Sequence, residues 1–178
     1  MYRIPSTFGT WKIYVSSRGV RKIVLPRTPP SRRVRFGWRS TTLRQGKSAL
    51  LVREIMRQIK QYFSCGSHSF KGPFDLEGIT PFRKRTWAAM RRIPSGERKT
   101  YGELAEMVGS GKAYRAVGNA CGANPLPIIF PCHRVVGKGT LGGFSAGMRW
   151  KKFLLDLERR GHCSRDGRFS TEGFLKKV

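Results

Sequence analysis

A cysteine and a histidine, Cys132 and His133, stand side by side at the end of an apolar stretch. A thiol attacks as its thiolate, and an imidazole or a nearby positive charge lowers the pKa of cysteine from about 8.5. Arg134 and the basic surroundings favour such activation. Adjacent side chains diverge in helices and strands, so a turn or a bridging water has to join the pair. Taken alone, the dipeptide is more typical of a buried, inert thiol.

The charge of the chain indicates what it binds. It contains 36 Lys and Arg against 10 Asp and Glu, a formal net charge of +26. Such an excess attracts polyanions and releases their counterions on binding. No acidic residue precedes Glu54, and none lies between Glu106 and Asp156, the interval that contains Cys132. Nucleic acid is therefore favoured over an anionic membrane, for which no basic amphipathic anchor stands out.

The length of 178 residues allows one domain or two small ones, with a real core. The four cysteines have no regular spacing, which predicts reduced thiols rather than a disulfide framework. No apolar run has the length of a signal peptide or a membrane span. We therefore expect a soluble protein inside the cell, in the cytoplasm with the nucleoid, or in the nucleus of a eukaryote.

The N-terminal half alternates strand and helix signals. Residues 10–16 and 20–25 are rich in β-branched and aromatic residues and predict a hairpin, and 34–38 is a candidate third strand. Apolar residues at helical spacing predict an amphipathic helix over 48–63. The loop-like segment 65–78 reads as a connection between domains.

The second half has mainly helical signals. Thr80-Pro81 predicts a helix start, and the helix should bury Phe82, Trp87, Met90 and Ile93 before Pro94. Thr100 and Glu103 form a capping box for a helix ending near Val108. Glycines then separate it from a helix over 113–122, the outline of a helix-turn-helix. A last helix is predicted over 148–158.

The helix over 113–122 contains many small residues around Arg115, among them Ala116, Gly118 and Ala120. Each glycine costs a helix about 1 kcal/mol relative to alanine, so close approach to a partner has to compensate. Another helix is one such partner. The charge of the chain favours DNA.

Several separated motifs together resemble the O6-alkylguanine-DNA alkyltransferases, over about residues 80–158. They are Tyr101, Arg115-Ala116-Val117-Gly118, Asn124-Pro125, Pro131-Cys132-His133-Arg134-Val135, Gly143-Phe144-Ser145 and Glu158. The N-terminal half fits more loosely. The resemblance implies an α/β fold, with a small N-terminal antiparallel sheet plus helix of the ribonuclease H-like kind. This unit is joined to a mainly helical C-terminal domain with a winged helix-turn-helix. The expected division is 1–78, 79–158 for DNA binding and alkyl acceptance, and a mobile basic tail over 159–178.

The resemblance also implies a role for each matched residue. Cys132 accepts the alkyl group from O6 of guanine, His133 acts as base through a water, and Glu158 orients His133. Tyr101 donates a proton to guanine, and Asn124 braces the segment of the cysteine. The implied substrate-binding residues are Ser145, Val135, Phe144 and Pro127. The implied DNA-binding residues are Arg115, Ala116, Gly118, Thr100, Tyr101 and Cys121.

The same resemblance implies irreversible transfer, one lesion per molecule, from double-stranded alkylated DNA, with O4-alkylthymine as a further candidate substrate. The target base is flipped through the minor groove and Arg115 fills the space. We expect a monomer without a small-molecule cofactor, and leave cooperative binding on DNA open. Cys65 and His68 have the spacing of half a zinc site, but no second half is evident, so no metal is expected.

Three features depart from the family pattern. Phe144 stands where the family often has tyrosine, the 137–143 loop is short, and the tail is long. Two other functions remain as alternatives. A non-catalytic lesion-recognition protein would lack the motif cysteine, which is present here as Cys132. A thiol hydrolase usually takes its histidine from a distant segment and has no use for so basic a surface.

Overall fold

The structure is a computed structural model, and it describes residues 1–29, 36–39, 43 and 45–160. Its longer elements, in chain order, are the strands β1 (Tyr2–Ser6), β2 (Gly9–Ser16) and β3 (Gly19–Val24), then the helices α1 (Lys47–Cys65) and α2 (Pro81–Arg91). There follow the short strand β4 (Lys99–Thr100), the helices α3 (Tyr101–Met107) and α4 (Tyr114–Gly122), a 3-10 turn (Cys132–Arg134), β5 (Val135–Val136) and α5 (Met148–Arg160).

The N-terminal sheet is antiparallel in the order β1-β2-β3. The predicted hairpin is confirmed as β2 and β3, and β1, which contains Pro5 and was not predicted, pairs with β2. Proline is tolerated there because β1 lies at the edge of the sheet. Of the predicted strand over 34–38, the described residue Trp38 forms only a single bridge to Ser6. Residues 34 and 35 lie outside the described part of the chain.

Helix α1 covers the sheet and carries the N-terminal half of the core. Its buried residues recur at helical spacing, as predicted, and Trp11 and Ile13 of β2 are fully buried with them. Aromatic rings join the two elements, since Trp11 and Phe63 meet edge to face at 5.9 Å. The sheet therefore provides the base on which α1 is fixed.

The C-terminal half confirms the predicted helix starts. Thr80 caps α2 and Pro81 occupies its first position, while Thr100 and Glu103 form the complete capping box of α3. Helix α5 extends to Arg160, two residues past its predicted end, and both added arginines pair with Asp156. Of the predicted tail over 159–178, residues 159 and 160 belong to α5, and 161–178 lie outside the described part of the chain.

The two halves share one hydrophobic core, which contains Trp11 and Phe63 as well as Trp87 and Trp150. Hydrogen bonds also cross between them: Trp150 Nε1 donates to the carbonyl of Pro26 at 2.7 Å, and the Ile23 amide donates to Pro125 at 2.9 Å. The division at residue 78 stays a prediction. In the described ranges, no helix is both long and apolar enough to cross a membrane.

Candidate active site

Cys132 lies at the end of the loop over 124–132, called here the braced loop, which Asn124 holds by hydrogen bonds. The side-chain oxygen of Asn124 accepts the amide of Leu126 at 2.9 Å, and its Nδ2 donates to the carbonyl of Phe130 at 2.7 Å. The same Nδ2 lies 3.2 Å from Cys132 Sγ. Within this loop Ile128 has a φ of 75°, a strained conformation for a β-branched residue. Asn124 therefore ties the loop at both ends and contacts the thiol itself, as its predicted bracing role requires.

The thiol of Cys132 is neutral in the resting protein. The residue is 4% exposed, and burial raises the pKa of its thiol to about 11. The hydrogen bond from Asn124 and the charge of Lys151 act in the opposite direction but do not offset burial. Arg134 is therefore not the activating charge that the sequence predicted, and the basic surroundings act on the thiol through Lys151 without overcoming burial. The guanidinium of Arg134 is paired with Glu158 instead.

His133 is a neutral base held by Glu158. Its Nε2 lies 2.7 Å from Glu158 Oε1, and both side chains are buried. Burial opposes ionisation of Glu158, but the hydrogen bonds from His133 and Arg134 outweigh it, so the pKa of Glu158 lies below its ordinary value. Because an ionised carboxylate only accepts hydrogen bonds, Nε2 carries the imidazole proton. The pKa of His133 is lowered by burial, against the attraction of Glu158.

The other ring nitrogen of His133, Nδ1, is buried and has no hydrogen-bond partner among the described residues. With the proton on Nε2, Nδ1 carries a lone pair that is able to accept a proton. Buried polar atoms are nearly always paired, so this lone pair is placed to accept a hydrogen bond from a water or from a reacting group. The site thus contains a neutral thiol and a neutral base on one turn.

Glu158 has more donors than the sequence suggested. Arg134 reaches both carboxylate oxygens, Nη2 to Oε1 and Nε to Oε2, each at 2.9 Å. Tyr62 Oη donates to Oε1 at 2.7 Å, and the Gly96 amide donates to Oε2 at 3.2 Å. The position of Arg134 beside Cys132 and His133 could have suggested a role in the site. Nothing in the sequence pointed to Tyr62, which lies on the apolar face of α1.

Lys151 is a second residue that sequence reasoning missed. It is fully buried on α5, and its Nζ donates to the carbonyl of Val135 at 2.6 Å and to that of Gly143 at 3.0 Å. One ammonium therefore joins β5 to the loop before α5. The backbone of Val135, a predicted contact to the substrate, already accepts this bond with one lone pair of its carbonyl.

The remaining predicted site residues differ in how close they lie to the 3-10 turn of Cys132 and in how exposed they are. Tyr101, the first residue of α3, is half-buried, and a Cβ on Gly142 would lie 2.8 Å from its hydroxyl, so only glycine fits beside it. The rings of Phe144 and His133 are nearly perpendicular, with centroids 6.3 Å apart. Ser145 is exposed next to Phe144. Pro127, by contrast, is buried within the braced loop.

Helix α4 presents an exposed surface next to α3. Arg115 and Ala116 are exposed, and the guanidinium of Arg115 lies 5.8 Å from the ring centroid of exposed Tyr114. Gly118 is half-buried, and a Cβ placed on it would lie 4.0 Å from the ring of Tyr101. The small residues therefore let α4 lie close to α3.

Two further residues of the predicted DNA-binding set lie apart from that exposed face. Thr100 is half-buried and uses its hydroxyl to cap α3. Cys121 is buried, with its Sγ 3.8 Å from Met90 Sδ, so its side chain does not belong to the exposed face. The sequence could not separate Cys121 from its neighbours, because burial on α4 depends on where α2 packs.

Among the described residues, no three His, Cys, Asp or Glu side chains come together as a metal site. Cys65 and His68 lie where α1 ends, and burial lowers the pKa of His68.

Fold and site together define an α/β protein with a buried thiol next to a neutral histidine and with a helix that exposes Arg115. Residues 81–160 match the family model described as 6-O-methylguanine DNA methyltransferase, DNA binding domain. A probable methylated-DNA–protein-cysteine methyltransferase of Acanthamoeba polyphaga mimivirus is 44% identical over 110 residues, 61% of this chain and 73% of that protein. The enzyme of Methanosarcina acetivorans with the same activity in its name is 48% identical over 112 residues, 62% of this chain and 70% of that one.

The fold has solved relatives as well. The structure of Mycobacterium tuberculosis OGT in complex with DNA is 34% identical and superposes with a TM-score of 0.68, over 88% of this chain and 91% of that one. These likenesses confirm the resemblance found in the sequence. The chain belongs to the methylated-DNA–protein-cysteine methyltransferase family, and it has the α/β fold of that family.

Proposed function

We propose that this protein repairs DNA by transferring the alkyl group from O6 of guanine to Sγ of Cys132. The observation that carries the proposal is the pairing of a buried, neutral thiol with a neutral His133 whose Nε2 is held by ionised Glu158. This arrangement keeps the thiol unreactive until a substrate arrives. It also leaves Nδ1 ready to take the proton of the thiol.

The residues of the site supply a donor and an acceptor for each proton of the proposed transfer. The thiol proton passes through a bridging water to His133 Nδ1, and Glu158 stabilises the imidazolium that forms. The thiolate attacks the alkyl carbon, the S–C bond forms, and the C–O6 bond breaks with its electron pair left on guanine. The hydroxyl of Tyr101 donates a proton to the departing guanine, and the proton held by His133 then passes through solvent to the Tyr101 phenolate, so that guanine, Tyr101 and His133 all end neutral.

The transfer occurs once in each molecule. A thioether is not a leaving group under cellular conditions, so Cys132 is not regenerated. The braced loop supports this role, because Asn124 holds Cys132 in place without contributing a group that could hydrolyse the product. O4-alkylthymine is a second substrate of the same chemistry.

We further propose that α3 and α4 act as a helix-turn-helix, with β4 and β5 at its side as a wing, and that α4 enters the minor groove of double-stranded DNA. Exposed Arg115 and Ala116 support this, as does the net charge of +26. Chemistry on a base requires it to leave the stack, and Arg115 fills the space it vacates. The N-terminal sheet and α1 are the counterpart of a ribonuclease H-like unit.

The protein acts as a monomer, and several copies could bind one DNA side by side. It works at the nucleoid, or in the nucleus of a eukaryote. The proposed DNA contacts of Thr100 and of the backbone at Cys121 lie beside the exposed face of α4 and not on it.

Mass spectrometry tests the proposed transfer directly. The protein is incubated with a duplex that contains one O6-methylguanine, and in parallel with the same duplex containing guanine. We expect a gain of one methyl group, mapped by peptide analysis to Cys132, only in the first sample. An unchanged protein mass with the lesion still present would disprove the proposal, and a methyl group on Cys65 or Cys121 would disprove the assignment of the acceptor.

A further inference from the structure

The N-terminal half contributes one side chain to the buried site. Tyr62 lies on α1, outside residues 81–160 that match the family model. Its hydroxyl donates to Glu158 Oε1 at 2.7 Å, the same oxygen that His133 Nε2 contacts at 2.7 Å. Tyr62 Oη also lies 3.5 Å from His133 Nε2. A residue far from the cysteine in sequence is therefore in direct contact with the acid–base pair.

Backbone packing holds Tyr62 at this distance. Gly66 ends α1 with a φ of 66°, and its amide donates to the carbonyl of Tyr62 at 2.8 Å. A Cβ on Gly66 would lie 2.7 Å from the carbonyl oxygen of Leu157, the residue before Glu158. Ser95 Oγ donates to the carbonyl of Gly66 at 2.6 Å. The end of α1 thus rests directly on the turn of α5 that carries Glu158.

The charged groups around this contact come from three elements. Arg134 on the 3-10 turn is paired with Glu158, and Lys151 on α5 lies near His133. Tyr62 on α1 is fully buried, and burial raises its pKa well above the ordinary value. Its hydroxyl therefore keeps its proton and remains a donor throughout the working pH range.

We propose that Tyr62 is a positioning residue for alkyl transfer: its hydroxyl holds Glu158 and disperses part of its charge, which limits how strongly His133 retains a proton. The inference rests on the proposed function, because it concerns the base of that reaction. Without the hydroxyl, the carboxylate loses one donor, and its concentrated charge binds the imidazolium more strongly. His133 is then already protonated at a higher pH, and it cannot accept the proton of Cys132.

The Tyr62→Phe variant removes only the hydroxyl. Single-turnover methyl transfer from duplex O6-methylguanine is measured between pH 5 and 9, and the ring of His133 is titrated by NMR in the free protein. We expect the acid limb of the rate profile and the titration of His133 to move upward by about half a unit to one unit. An upward shift of this size lowers the transfer rate near that limb by about threefold to tenfold, since each unit is a factor of ten in proton binding.

A matched control separates this role from simple packing. Phe70 is buried, and its ring centroid lies 6.0 Å from that of Tyr62. Phe70→Leu weakens the same region but leaves the hydroxyl in place, so it should lower stability without moving the pH profile. Gly66→Ala keeps the hydroxyl but pushes α1 away from Leu157, and should shift the titration of His133 in the same direction as Tyr62→Phe.

The outcomes distinguish this inference from the proposed function. If the unaltered protein transfers no methyl group, the proposed function fails. If it does transfer, and a folded Tyr62→Phe variant shows an unchanged acid limb and an unchanged titration of His133, the role of Tyr62 is disproved while the proposed function stands. A shift in Phe70→Leu equal to that in Tyr62→Phe would also disprove it.

Discussion

The buried site around Glu158 and the exposed face of α4 differ in whether their charged side chains are paired. In the site, Glu158 accepts from Tyr62, His133, Arg134 and the Gly96 amide, and every side chain of this cluster is buried. On α4, Arg115 is exposed and forms no ion pair within the described ranges, with only the ring of Tyr114 nearby.

The difference follows from solvation. A buried charge is costly unless it is paired. Glu158 is charged because it has partners, whereas burial keeps Cys132 and His133 neutral. An exposed cation needs no partner, which leaves it available for a polyanion. We therefore expect the buried site to control chemistry and the α4 face to control engagement of DNA. Each of the following tests separates the two regions.

Replacing the nucleophile should give the largest effect. Cys132→Ser has no thiolate to offer, so methyl transfer should fall to the background of the assay, while binding to duplex DNA should stay within about twofold because the face of α4 is unchanged. Transfer is measured by protein mass, and binding by fluorescence anisotropy. Loss of DNA binding in the folded variant would show that the two regions are not separate.

Replacing the carboxylate should be the next largest. Glu158→Gln leaves Arg134 buried without its charge partner, which costs about 3–5 kcal/mol of unfolding free energy. It also removes support for the imidazolium, and the transfer rate should fall by about 10²–10⁴. Urea unfolding and single-turnover kinetics measure the two effects. Asp156→Asn on the same helix is the control, since Asp156 pairs with Arg159 and Arg160 near the surface, and its replacement should change the rate little.

Removing the exposed cation of α4 should hinder extrusion of the target base from the duplex and leave the chemistry at Cys132 unchanged. Extruding a base costs a few kcal/mol, and 1.4 kcal/mol is a factor of ten, so Arg115→Ala should slow transfer from duplex DNA by about tenfold or more. Transfer from a free O6-alkylguanine base should not change. Arg3→Ala removes the same charge from exposed Arg3 at the edge of the N-terminal sheet and is the control. Equal losses of transfer rate in both variants would show that Arg115 contributes only its positive charge.

The smallest effect concerns acid stability. Burial lowers the pKa of His133 below its unfolded value, so below about pH 6.5 the unfolded state binds a proton that the folded state does not. Stability should therefore fall as the pH drops through this range. Glu158 adds a loss at lower pH, because its stabilising contribution is present above its unfolded pKa and disappears as it protonates.

His133→Gln should reduce the loss of stability between pH 7 and 5, measured by urea unfolding at each pH. His68 is only partly buried, so His68→Gln should reduce it less. Equal changes in the two variants would contradict the assignment of this slope to the buried site.

Much of the fold could be predicted from local patterns. The hairpin of β2 and β3, the amphipathic α1, and the caps at Thr80 and Thr100 depend on residues close together in sequence, and all were predicted near their observed bounds. Strand β1 was missed because its pairing with β2, rather than its own composition, makes it a strand.

The sequence by itself determined which residues are candidates for the chemistry, because Cys132, His133, Asn124 and Glu158 stand in motifs that can be recognised without a structure. Only the tertiary structure decided how they are charged. Burial and distant partners set a protonation state, so the thiol of Cys132 is neutral although basic residues are abundant, and Arg134 serves Glu158 instead. The contact of Tyr62 with Glu158 spans 96 positions of the chain, and no local pattern records which residues such packing brings together.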